Sequence, residues 1–135
     1  MQNLNVKKFA IASLAAFAVV FVFEWLLHGV LLKSTYEATA HLWRKHDEMV
    51  CWAMIAGQLM MPFVAAFIFT KGYEGKGIGE GLRFGLLLGL LFVPGSLMMY
   101  AVMPIPVTLL AAWAVGGIVE MVLVGCTIAA LYKAK

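Results

Sequence analysis

Charge is what this sequence lacks most. Asp, Glu, Lys and Arg make up 13% of its 135 residues, and apolar residues 64%. Soluble domains carry about 25% charged residues, so this chain cannot cover a water-facing globule of its size. Cysteine is scarce as well: Cys51 and Cys126 stand alone in apolar segments with no CxxC, which excludes a zinc ribbon or a redox pair. There is no HExxH, GxSxG or GKS/T-ended phosphate loop, so no enzymatic function is expected. No basic stretch is interleaved with aromatics to hold nucleic acid. Disorder is excluded by the high mean hydropathy of +0.95.

What remains is an all-α integral membrane protein. Four apolar windows predict transmembrane helices over 9–32, 49–70, 82–102 and 107–132. Each has the roughly 20 residues needed to cross the hydrocarbon core. Lys7 and Lys8 before the first window, with Ala38-Thr39-Ala40 behind it, imitate a secretory signal. The run is too long for a signal core of roughly 7–15 residues. Met103-Pro104-Ile105-Pro106 divides the last two windows, because proline stops a helix and biases the residue before it to extended backbone.

The formal net charge is +3. Lys7, Lys8, Lys71, Lys76, Arg83, Lys133 and Lys135 fall on one side, and Lys33, Arg44 and Lys45 on the other. The positive-inside rule then puts both termini and the glycine-rich 71–81 loop in the cytoplasm of a cell with this protein in its inner membrane. Bases at the ends of apolar runs suit anionic headgroups, so the lipid bilayer is the first expected partner. In the outer loop, 33–48, Ser34 and Glu37 have capping-box spacing, and Tyr36, Ala40 and Trp43 share one helical face. A short interfacial helix is expected there. The 71–81 loop is expected to be flexible.

Small residues recur every four positions: Gly81, Gly85 and Gly89 in the third window, Ala112 and Gly116 in the fourth, Ala53 and Gly57 in the second. Such stripes let helix backbones approach closely in lipid. They lead to one functional expectation: a non-enzymatic helix-packing subunit of a homo-oligomer or larger membrane complex.

The polar residues within the spans lead to another. Glu24 and His28 are spaced i, i+4 in the first helix, and Glu120 lies near the middle of the fourth. Gln58, Ser96 and Tyr100 are added by helix depth. Intramembrane acids are costly and mark proton, ion or substrate paths. These six are the candidate path residues of a small proton-coupled transporter. A faint echo adds to this: Glu24, Gly29 and Tyr36 recur as Glu120, Gly125 and Tyr132 at one constant offset, as an inverted repeat would give. The stretch from Glu24 to Glu37, with Lys33-Ser34 after the acid, resembles the first helix of the small multidrug resistance transporters. That resemblance implies proton exchange at Glu24. An outer-face metal site is a third alternative, with His28, His41 and His46 as weak ligands, although they lack compact spacing. No cofactor is expected.

Overall fold

The computed structural model describes residues 4–133. It is all-helical among them, with four helices long and apolar enough to cross a membrane. Helix α1 spans Val6–Glu24 and continues without a break as a π-helical segment, Trp25–Leu31. After Leu32 come the short helix α2, Lys33–Ala38, and two 3-10 turns, Ala40–Leu42 and His46–Glu48. The remaining spans are α3 (Cys51–Lys71), α4 (Ile78–Val102) and α5 (Val107–Leu131). The chain therefore runs up and down four times. The start of α1, the end of α5 and the 72–77 loop share one end, here the terminal end. The 32–50 strap and the 103–106 turn share the other, the connector end.

The helices are not packed evenly. Helix α4 lies along α5 in the most extensive contact of the molecule, while α1 is held between α3 and α5. The α4–α5 seam follows the glycine stripe. A Cβ at Gly81 or Gly85 would collide with the carbonyl oxygens of Gly125 or Met121, and one at Gly89 would lie 2.7 Å from Ile118 Cα. Gly125 faces Gly81 in turn. With little hydrophobic drive between helices in lipid, this backbone approach supplies the dispersion contact that holds them together. Alanine does the same for α1, where Ala12 and Ala16 are fully buried, as are Ala65 and Ala66 of α3.

The core lies in the terminal half. It joins Ala12, Ala16 and Val20 to Ala65, Ala66 and Phe69, and to Met121, Val124, Ile128, Ala129 and Tyr132. Phe69 is its aromatic hub, with ring centroids 5.3 Å from Phe84 and 6.5 Å from Tyr132. Towards the connector end α3 and α4 part. From Cys51 to Met60 every residue of α3 is exposed except the half-buried Gln58. A Cβ on Gly57 would meet nothing within 4 Å, and Ala53 is exposed. Spacing reads these two residues as a packing stripe, yet both are exposed and a side chain at Gly57 would meet no neighbour. Ala112 is half-buried, and Gly116 is buried against the Leu27 side chain.

Two local expectations are corrected. Ser34 does not start a helix. Leu32 is the N-cap of α2, without a side-chain cap, because the chain re-enters helix one residue after the π segment. Glu37 pairs instead with Lys33, 4.0 Å away on the surface. The 72–77 loop is tied down rather than loose. The buried Glu80 carboxylate accepts hydrogen bonds from the Glu74 and Lys76 amides at 2.7 and 2.9 Å. Glu74 takes Lys76 and Arg83 at 2.6 and 3.0 Å. These two cations, Lys76 foremost, hold the exposed Glu74 carboxyl below the usual carboxylate range. Gly75 and Gly77, at φ 76° and 69°, make the two left-handed turns that only glycine adopts freely. Both ends of the 72–77 loop are thus fixed by residues adjacent in sequence. Lys135, counted with the bases at this end, lies outside the described residues.

Candidate functional site

Polar side chains collect at the connector half, between α1, α2 and α5. The π segment begins directly after Glu24 and carries His28 within it. Such wide turns are rare and often occur at functional sites. The i, i+4 relation between the two side chains survives, with His28 Nε2 3.4 Å from Glu24 Oε2. Leu32 N–H still donates back to Leu27 O at 2.9 Å, closing the π turn and directing α2 back over the helix.

That reversal brings Tyr36 to His28. Tyr36 Oη lies 2.5 Å from His28 Nδ1 and accepts a 2.8 Å hydrogen bond from Trp113 Nε1 of α5. Trp113 has a donor alone, so Tyr36 accepts from it. In the Tyr36–His28 bond the donor follows the imidazole tautomer. Trp113, Tyr36, His28 and Glu24 thus form one run of polar contacts from α5 through α2 to α1, the last of them an ion-pair distance. Burial raises the Tyr36 phenol above its ordinary value of 10.0, the Trp113 bond lowers it, and Glu24 adds to the rise. The phenol therefore keeps its proton throughout the neutral range.

Trp43 closes the cluster, with its ring edge-on to Tyr36 at 5.6 Å and 6.1 Å from Trp113. Its Nε1 donates to Thr39 Oγ1 at 2.9 Å, and Thr39 returns a 2.8 Å bond to the Thr35 carbonyl. The indole is held by its own strap.

Glu120 lies two helical turns along α5 from Trp113, with Gly116 and the Leu27 side chain between them. It is only 7% exposed, and its Oε1 is buried without a hydrogen-bond partner. The Glu24 carboxyl is close enough to interact with it electrostatically. Two acids on neighbouring helices thus differ: Glu24 sits beside His28 and is part-exposed, while Glu120, near the middle of α5, is buried with one oxygen unpartnered.

The other candidates stand apart. Gln58 and Ser96 are half-buried and Tyr100 is exposed, and none makes a hydrogen bond among the described residues. Gln58 belongs to the α3 segment that splays from the bundle. His41 and His46 lie exposed on the strap. Among the described residues no three His, Cys, Asp or Glu side chains gather as a metal site would need.

Sequence reading treated Tyr36 and Trp43 as membrane-surface anchors and passed over Trp113, Thr39 and Glu80. Trp113, Gly116 and Glu120 do lie on one face of α5 by spacing, and that pattern was the available signal. The π turn that aims Tyr36 at His28 has no such signature. Comparison with protein-family models, curated proteins and solved structures gives no match for this chain.

Proposed function

We propose that this chain is a small proton-coupled carrier of the inner membrane, with Glu120 as the acid that loads and releases the proton. Glu24, His28 and Tyr36 connect that acid to the connector end. The single observation behind this reading is Glu120, buried in mid-span with an unpartnered oxygen, on the same helix as the Trp113 that joins Tyr36, His28 and Glu24. An ionised carboxylate in apolar surroundings costs several kcal/mol. Neither the α4–α5 seam nor the core requires one, so a structural role would be served better by an apolar residue.

The membrane setting is part of the proposal. Both termini and the 72–77 loop face the cytoplasm, as the excess of bases at that end supports. Helix α2 and Trp43 then lie at the outer surface, where Tyr and Trp rings sit well.

The test is proton uptake into proteoliposomes on addition of each member of a panel of cationic and polar solutes. Wild-type protein should move protons with at least one solute, at a rate that depends on pH. Glu120→Gln should abolish the movement, and Glu24→Gln should slow it. Wild-type vesicles that match empty ones with every solute would refute the reading.

A second reading has its own support. The first half of α3 is exposed except for the half-buried Gln58, with Ala53 and Gly57 in a row. It suits a subunit that lends this helix to a second copy or a larger membrane complex. Vesicles without flux would favour it.

A further inference from the structure

We propose that Lys7, Lys71 and Lys133 together seat the headgroup of an anionic phospholipid at the terminal end of the bundle. This seat is independent of the proton-carrier reading.

The charges of the chain are unevenly placed. Of its seven acids, Glu37, Asp47 and Glu48 lie on the connector strap, where Lys33, Arg44 and Lys45 balance them. Glu24 and Glu120 lie within the spans. Glu74 and Glu80 are then the acidic side chains of the terminal end, and both are engaged. Glu74 holds Lys76 and Arg83 at 2.6 and 3.0 Å, and Glu80 takes the Glu74 and Lys76 amides at 2.7 and 2.9 Å. The start of α4 thus neutralises itself. Lys7, Lys71 and Lys133 sit at the ends of the other three spanning helices. They are exposed and have no ion pair among the described residues.

Ring contacts bring these three ends together. Phe69 of α3 meets Tyr132 edge-on, with centroids 6.5 Å apart. Lys71 stands two residues beyond the first ring and Lys133 one beyond the second. Phe9 of α1 meets Phe63 of the antiparallel α3 at 6.2 Å, so Lys7 lies level with the last two turns of α3, which end on Lys71.

Lys71 shows which way the charge is turned. Its ammonium lies 4.7 Å from the centroid of the Phe67 ring, one helical turn back into the span. Phe67 is itself 44% exposed, on the outside of the bundle. The cation is therefore folded back over an apolar, outward-facing ring, where cation–π attraction holds it at the depth of lipid headgroups. A phosphodiester at that depth supplies the negative charge that this edge lacks. A soluble acidic partner would instead require bases turned out to water.

The test uses the full chain in non-ionic detergent with phosphatidylglycerol, phosphatidylcholine or soluble glycerol phosphate added. Thermal loss of helical signal gives a midpoint, read as the shift from the same protein in detergent alone. Phosphatidylglycerol should raise the wild-type midpoint more than phosphatidylcholine does, and added salt should weaken the gain. Combining Lys71→Gln with Lys133→Gln should reduce the apparent affinity for phosphatidylglycerol about thirtyfold, the scale of two bases near an anionic surface. Lys76→Gln, whose charge is already paired with Glu74, should change it far less. Equal shifts with the two lipids would overturn the seat. So would an undiminished affinity in the double variant, or a loss as large in Lys76→Gln. A shift from glycerol phosphate matching that from the lipid would also overturn it, because the anion would then bind without a bilayer anchor.

Discussion

At the residue scale, the molecule depends on a few polar atoms in a setting with almost none. Glu120 keeps one carboxyl oxygen without a partner, whereas Glu80, as deeply buried, has its two oxygens filled by loop amides. The same side chain thus serves as a cap at one end of the bundle and as an open acceptor near its middle. Tyr36 joins α1 to α5 through His28 and Trp113, and its titration can be followed directly. Burial holds the neutral phenol, so its stabilising contribution is complete below pH 10 and is lost as pH rises through the raised folded value. The tyrosinate absorbance of wild type minus that of Tyr36→Phe should therefore show a midpoint above pH 10. A midpoint at or below it would mean the phenol is solvated and the strap is open at rest. Tyr36, Glu24, His28 and Glu120 were all visible in the sequence as polar or amphipathic residues near apolar runs. Their connection was not, because it depends on a side-chain reach across eight residues and another across seventy-seven.

At the element scale, α4 is held almost entirely by α5, through glycines whose missing side chains leave room for the opposing backbone. A flexible side chain can move aside for a new methyl group, but a carbonyl in a helix cannot. Gly85→Val should therefore cost about 3 kcal/mol, the upper end of what overpacking incurs. Gly95→Val, at a position with nothing within 4 Å, should cost little by comparison. Denaturation in mixed detergent, followed by loss of helical signal, measures the difference, and equal midpoints would show that the seam is not this close. The periodic glycines of α4 were legible because a four-residue repeat fixes a face. Which helix that face meets was not legible, nor was the exposure of Ala53 and Gly57, which show the same repeat. The π segment was also hidden, since its residues read as an ordinary apolar helix.

At the scale of the whole molecule, the bundle is tight at one end and open at the other. Its small-residue and aromatic core fills the terminal half, and α3 and α4 part above it. The two cysteines happen to report on this polarity. Cys51 begins α3 at the connector end and is exposed, while Cys126 is half-buried in the terminal half of α5. With the proposed orientation, a membrane-impermeant maleimide added to intact cells should label Cys51 and leave Cys126 unlabelled. Labelling of Cys51 only after the cells are broken would invert the topology and put the strap in the cytoplasm.

The sequence by itself determined the solvent and the count. Long apolar runs with so few charges give four helices long and apolar enough to cross a membrane, as lipid accepts only backbone that satisfies itself, and prolines and glycines mark where the runs must end. The tertiary structure alone decided which helices touch, which acid is buried with an unpartnered oxygen and which sits beside His28. Those outcomes depend on how far each backbone can approach its neighbour and on a single wide turn after Glu24. Both are properties of packed surfaces that no periodicity along the chain encodes.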